Sequence, residues 1–151
     1  ETVARLANFS NIVGIKDACG DATRISAIKS ALTGPAQDDF FLLSGEDAQT
    51  LEMMTLGAAG TISVTANVLP KLMSEFCTSY LQGDHERAQN LDARLQPVHD
   101  ALFLESSPTP TKWILSELGR MQGGIRLPLI PLSVQHHEKV RDAVITAGAA
   151  E

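Results

Sequence analysis

The sequence predicts an α/β fold, with parallel βα units in the first part and a wholly helical region after them. Three observations predict it. Apolar runs at Ile12-Val13-Gly14-Ile15, Phe40-Phe41-Leu42-Leu43 and Thr61-Ile62-Ser63-Val64-Thr65 recur at intervals of roughly 20–30 residues, with helical patterns between them. The runs are too continuously apolar for strands with one solvated face, which is the mark of parallel strands covered by helices. From Pro70 onward only helical periodicity remains.

Residues 1–8 read as a short amphipathic helix with Val3, Leu6 and Ala7 on one side, and residues 11–17 as the first strand. Asp21 follows Gly20 and is placed to cap a helix to about Leu32, on which Ile25, Ile28, Ala31 and Leu32 share a face. Gly34-Pro35 ends that helix. Residues 40–43 form the second strand, closed by Ser44-Gly45. Asp47 then starts a helix carrying Leu51, Met54 and Leu56, which stops at Gly57. The β-branched residues of 61–65 predict the third strand.

Pro70 suits the first position of a helix running to Leu81-Gln82. Asp84 caps the next helix, which extends to about Phe103 with a kink expected at Pro97. Ser106-Ser107-Pro108-Thr109-Pro110 reads as a rigid loop into a helix over 112–118, stopped by Gly119. Residues 120–132 read as irregular, and Ser133 is expected to cap a last helix to about Ala147. The expected organisation is residues 1–69 as a βα region and 70–151 as a helical region.

Composition limits the function. The 151 residues carry a net charge of -6, which disfavours nucleic acid and anionic membrane surfaces as partners. No apolar run approaches the roughly 20 residues needed to span a bilayer. Cys19 and Cys77 have neither metal-type spacing nor a disulfide framework, so a reducing cytoplasm is the expected compartment. The opening Glu1-Thr2-Val3 has no initiator methionine or signal pattern and reads as a start in mid-protein. The tail Ala147-Gly148-Ala149-Ala150-Glu151 reads as a frayed end after a helix.

The chemistry concentrates at Lys16. A lysine inside an apolar strand is expected to be desolvated, which favours the neutral amine that a carbonyl-attacking nucleophile requires. The alternative is a lysine at a strand end that snorkels to water or pairs with Asp17. Polar residues or glycine follow all three apolar runs: Lys16-Asp17, Ser44-Gly45-Glu46-Asp47 and Ser63-Val64-Thr65. Ligands in parallel α/β folds bind at such strand ends. Gly45 permits close approach of a ligand or simply makes a turn. Glu46 and Asp47 could serve as acid and base, or cap the next helix. The four histidines lack metal-ligand spacing and read as surface positions, so no metal is expected. Cys19, close to Lys16 in sequence, could line a pocket but reads better as a small apolar filler, and Trp113, Met53 and Met54 read as packing residues. Nucleophile-elbow, P-loop and dinucleotide motifs are absent from the sequence.

These segments resemble the dihydrodipicolinate synthase family. Val13-Gly14-Ile15-Lys16-Asp17-Ala18, with Gly20-Asp21 and Thr23-Arg24, resembles its Schiff-base strand. Leu42-Leu43-Ser44-Gly45-Glu46-Asp47 is similar to a strand end that usually reads Ser-Gly-Asp-Asp. Gly60-Thr61-Ile62-Ser63-Val64-Thr65-Ala66-Asn67-Val68 is similar to the family's Gly-Val-Ile-Ser-Val-Thr-Ala-Asn-Val, and the segments around Leu102–Glu105, Lys112-Trp113 and Arg126–Pro128 also fit. The resemblance covers essentially the whole chain.

It implies the last three strands of a (β/α)8 barrel followed by a C-terminal helical domain, in a chain about half the family's length. The implied reaction joins pyruvate to aspartate 4-semialdehyde in lysine biosynthesis, without metal or organic cofactor, in a cytoplasmic homotetramer. Lys16 would be the nucleophile, and Gly45 and Ile62 would line the pyruvate pocket. The threonines that hold the pyruvate carboxylate, the proton-relay tyrosine and the arginine for the second substrate would lie in the other half. The sequence departs from the family pattern at Cys19, at Glu46 and at Ser107-Pro108-Thr109-Pro110-Thr111. Two other functions fit less well: another pyruvate aldolase of the N-acetylneuraminate lyase superfamily, and a non-catalytic structural fragment.

Overall fold

The computed structural model describes residues 1–148. Ala149, Ala150 and Glu151, on which part of the expected frayed end falls, lie outside the described residues. The chain divides into two compact units, Glu1–Ser63 and the remainder from Val64. This division falls ahead of the 69/70 boundary expected from sequence.

The first unit runs α1 (Thr2–Leu6), β1 (Gly14–Asp17), α2 (Thr23–Ala31), α3 (Ala36–Asp39), β2 (Phe41–Ser44), α4 (Thr50–Thr55) and β3 (Gly60–Thr61). Its sheet is parallel in the order β1-β2-β3. Register places Lys16 beside Leu43 and Asp17 beside Ser44, while Ser44 also faces Thr61. One face is buried: Leu42, Ser44 and Asp17 are each at most 4% exposed, and Ile25, Leu32, Phe40, Met53 and Met54 complete the core. Asp21 does not stand at the N-cap of α2 as expected; that position is Ala22, without a side-chain cap, and Asp21 ties the turn ahead of it, its Oδ1 accepting from Thr23 N at 3.0 Å and Thr23 Oγ1 at 2.6 Å.

Sequence and structure differ at several places in this unit: β1 begins at Gly14 and not at residue 11, and Asp47 opens a 3-10 turn ahead of α4 and does not start the helix itself. Gly34-Pro35 predicts only the end of a helix, yet Pro35 sits at the N-cap of the single-turn helix α3, with φ -57 already helical. The third strand is shorter than its β-branched residues predict. The final ladder bond is Ile62 N to Ser44 O at 2.9 Å, because β2 turns away at Gly45 and offers no further row of acceptors. Thr65–Asn67 is a 3-10 turn instead of strand.

The second unit contains α5 (Pro70–Leu81), α6 (His85–Ala101), α7 (Thr109–Glu117) and α8 (His137–Thr146). Proline stands in the first turn of α5, where its missing N–H costs nothing. Gly83 adopts φ +83 between α5 and α6, and Asp84 Oδ1 caps α6 by accepting from Arg87 N at 3.1 Å. Pro97 lies inside α6, which continues to Ala101. Met73 and Phe76 from α5, Leu91, Leu95 and Val98 from α6, and Val140 and Val144 from α8 form the core. Burying each such side chain fully contributes about 1.5–3 kcal/mol.

Here too the ends of helices shift. Helix α7 begins at Thr109, so Thr109-Pro110 form its first turn and are not loop. Ser133 makes no side-chain cap; a 3-10 turn over Val134–His136 leads into α8. Among the described residues no helix is long and apolar enough to cross a membrane.

Candidate active site

Successive side chains of a strand point to opposite faces, so Lys16 and Asp17 leave β1 in opposite directions. The Asp17 face is closed. Its carboxylate is almost entirely buried and is met by Arg24 from the first turn of α2. Arg24 Nε and Nη2 both approach Asp17 Oδ2 at 3.0 Å, and Oδ1 accepts from Cys19 N at 3.2 Å. Burial alone would raise the Asp17 pKa. The hydrogen bonds from Cys19 and Arg24, with the guanidinium charge, outweigh burial and hold the carboxyl below its usual range. The same pairing raises the Arg24 pKa above its ordinary value. The alternative partnership of Lys16 with Asp17 is therefore not found, because Asp17 is committed to Arg24.

The opposite face is open. Lys16 is exposed, and Phe41 and Ile62 on the same face are 56% and 52% exposed. This corrects the expectation of a desolvated lysine: covering that face requires something other than the described residues of this unit. Among the described residues Lys16 has no hydrogen-bond or ion-pair partner. Its stem nevertheless has a fixed neighbour. A Cβ built on Gly45 would lie 2.5 Å from Lys16 Cε, 3.0 Å from Lys16 Cγ and 2.6 Å from Ala18 Cβ. Only glycine fits at position 45 while Lys16 lies where it does.

Gly45 is itself held firmly. Its N–H donates to Asp17 O at 2.7 Å. The turn around it is tied by Ser44 Oγ donating to Glu46 O at 2.9 Å and by Thr50 Oγ1 approaching Glu46 O at 3.0 Å, with Ser44 and Thr50 fully buried. Ile62, whose N–H bonds Ser44 O, stands one strand further along the same strand ends. The structure thus brings Lys16 and Gly45 into contact and places Ile62 on the same face of the sheet just past β3, with β2 between it and Lys16. Sequence reasoning gave Arg24 no role. The available signal is its place in the first turn of the helix that follows the strand ending in Asp17.

Other expectations change. Glu46, at the N-cap of the 3-10 turn Asp47–Gln49, makes no side-chain cap, and Asp47 is buried at the start of that turn. Cys19 is exposed and fills no cavity. His99 is buried in the second unit, its Nδ1 2.7 Å from Thr65 Oγ1, and is no surface residue. Its spacing from Leu95 and Leu102 on the apolar face of α6 could have revealed that. Met53 and Met54 are buried packing residues; Trp113 stacks on His137 with ring centroids 4.2 Å apart. Among the described residues no group of three His, Cys, Asp or Glu side chains is placed to hold a metal ion.

Similarity to known proteins agrees with the residue pattern. The model of the dihydrodipicolinate synthetase family matches residues 1–147. A curated 4-hydroxy-tetrahydrodipicolinate synthase from Pseudomonas savastanoi pv. phaseolicola is 47% identical over 148 residues, covering 98% of this chain and 49% of its own length. The structure of the chloride-inhibited dihydrodipicolinate synthase from Acinetobacter baumannii, complexed with pyruvate, superposes with TM-score 0.90 at 46% identity, covering 98% of this chain and 50% of that one. The dihydrodipicolinate synthase of Thermotoga maritima gives TM-score 0.91 at 38% identity, with 98% and 50% covered. The chain spans about half the length of the curated relatives it matches. The chain belongs to the dihydrodipicolinate synthetase family.

Proposed function

We propose that this chain supplies the Schiff-base lysine of a 4-hydroxy-tetrahydrodipicolinate synthase, acting on pyruvate and aspartate 4-semialdehyde. The observation that carries the reading is Lys16: an unpartnered primary amine at the end of a parallel strand, its stem packed on Gly45. In this reading the neutral amine attacks C2 of pyruvate, and loss of water leaves an imine. Loss of a methyl proton converts the imine to an enamine. The enamine carbon then bonds to the aldehyde carbon of aspartate 4-semialdehyde, and ring closure through the second substrate's amino group releases Lys16. Gly45 and Ile62 border the pyruvate.

Further parts of the reading follow the family resemblance. The three-stranded sheet is the end of a (β/α)8 barrel, residues 70–151 form the helical domain, and the assembled enzyme is a cytoplasmic homotetramer. The carboxylate-binding threonines, the relay tyrosine and the arginine for the second substrate belong to the half of the relatives that this chain does not span. Positioned proton transfer contributes about 10²–10⁴-fold, so this chain by itself forms the imine without sustaining turnover.

The test is a chimera in which this chain replaces the matching half of the Pseudomonas savastanoi synthase. The chimera is expected to condense pyruvate with aspartate 4-semialdehyde and to leave N-acetylneuraminate uncleaved, and Lys16→Ala abolishes the condensation. Cleavage of N-acetylneuraminate, or condensation unaffected by Lys16→Ala, contradicts the reading.

A further inference from the structure

We propose that Arg24 is a positioning residue for Lys16, acting through the Asp17 carboxylate on the far face of the same strand. The proposal rests on the reading of Lys16 as the imine-forming amine. Every acceptor that Asp17 offers is engaged: Oδ2 by the two Arg24 nitrogens, Oδ1 by Cys19 N, and the main-chain oxygen by Gly45 N. The last of these bonds joins the clamp to the residue against which the Lys16 stem lies. Re-aiming Lys16 by rotating the backbone at positions 16 and 17 therefore breaks the Arg24 pair, the Cys19 turn or the Gly45 bond. Arg24 also stands on a helix whose start is pinned by the two bonds from Thr23 to Asp21.

The charge of Arg24 adds a second effect. A buried carboxylate stripped of its cation is strongly disfavoured and acts on the next cation along the chain. For Asp17 that cation is Lys16. The titratable groups on the elements beside Lys16 are Asp17, Cys19 and Asp21 on its own strand and turn, Arg24 on α2, and Glu46 and Asp47 beyond β2. With Arg24 in place Asp17 is neutralised. Without it, an opposite charge next to Lys16 favours the ammonium over the reactive amine.

The experiment follows pyruvate adduct formation on this chain, trapped with borohydride, across a pH series for wild type, Arg24→Gln and Arg24→Lys. Arg24→Gln is expected to slow adduct formation at Lys16 about tenfold and to move its half-maximal pH upward, since small displacements of a reacting group cost this much or more. Arg24→Lys keeps the charge without the two-pronged contact, so it recovers the pH dependence and only part of the rate. A wild-type rate and pH profile in Arg24→Gln overturns the proposal, as does a pH profile in Arg24→Lys that stays with Arg24→Gln.

A second readout needs no pyruvate: reductive methylation by formaldehyde and cyanoborohydride, quantified at Lys16 relative to Lys29, Lys71, Lys112 and Lys139. The variant is expected to lower labelling at Lys16 alone, and unchanged relative labelling overturns the proposal. Absence of a pyruvate adduct in the wild type, with Lys16 labelling still dependent on Arg24, overturns the function reading and leaves the positioning role standing. If Arg24→Gln fails to fold, Arg24→Lys and the double variant Asp17→Asn/Arg24→Gln, which strands no charge, provide the same comparison. The double variant is expected to restore the half-maximal pH, and an upward shift retained in it overturns the proposal.

Discussion

In the helical unit Phe76, Leu95, Ile114, Val140 and Val144 are wholly buried, whereas in the sheet unit Phe41 and Ile62, on the face of the sheet that carries Lys16, remain more than half exposed. The difference comes from the elements themselves. Helices α5 and α6 satisfy their own backbone bonds, and pairing them with α8 closes a core. A parallel sheet needs cover on both faces and a neighbour at each edge. Helices of the sheet unit cover one face; β1 and β3 are its edges among the described residues. Lys16 lies on the uncovered face, and Asp17 with its partner Arg24 on the covered one.

The largest expected effect concerns the chain as a whole. Open strand edges and an apolar face predict concentration-dependent self-association in size-exclusion chromatography; a well-behaved monomer with one sharp melting transition would break the comparison. Next come paired truncations. Phe76→Ala is expected to cost the helical unit about 3–5 kcal/mol in denaturant unfolding. Phe41→Ala is expected to cost about 1 kcal/mol or less. Equal costs would mean that the sheet face is covered in solution.

Gly45→Val sharpens the contrast within the sheet unit. Its side chain meets Lys16 and Ala18 at less than ordinary contact distance, so a loss of about 1–3 kcal/mol is expected, together with slowed adduct formation at Lys16. Asp84→Ala removes the cap of α6 and should cost the helical unit about 1 kcal/mol, read by amide exchange in α6.

Acid should separate the two units most subtly. Asp17 has its folded pKa held below the usual 3.8, so it contributes stability at higher pH that is lost as pH falls below that value. Asp92 is the reverse case. Burial raises its pKa against the opposing hydrogen bond from Gln96, so the ionised form costs stability, and the cost is relieved as pH falls through the raised value. Amide exchange followed toward acid should show the sheet unit loosening first, and Asp92→Asn should slightly stabilise the helical unit at neutral pH. Earlier loosening of α6 than of β1 would reverse the assignment.

Much of this was legible in the sequence because local chemistry and tertiary structure agree there. The first two strands (expected over 11–17 and 40–43, found at 14–17 and 41–44), the proline that opens α5 and the cap at Asp84 all follow from periodicity and end residues. Expectation failed where a partner elsewhere decides the outcome. Thr61–Thr65 has strong strand propensity, but β2 turns away at Gly45 and ends the ladder. Lys16 sits in an apolar run, yet its exposure depends on what covers the other side of the sheet. Arg24 has no role in the sequence pattern read by itself, and folding pairs it with Asp17. His99 is polar by type and buried by position, held by Thr65.

The most direct test of the central claim is incubation of the chain with pyruvate and borohydride, followed by intact mass and peptide mapping. The account predicts one reduced adduct, on Lys16, lost in Lys16→Ala. No adduct, or one spread among Lys29, Lys71, Lys112 and Lys139 as well, would contradict it.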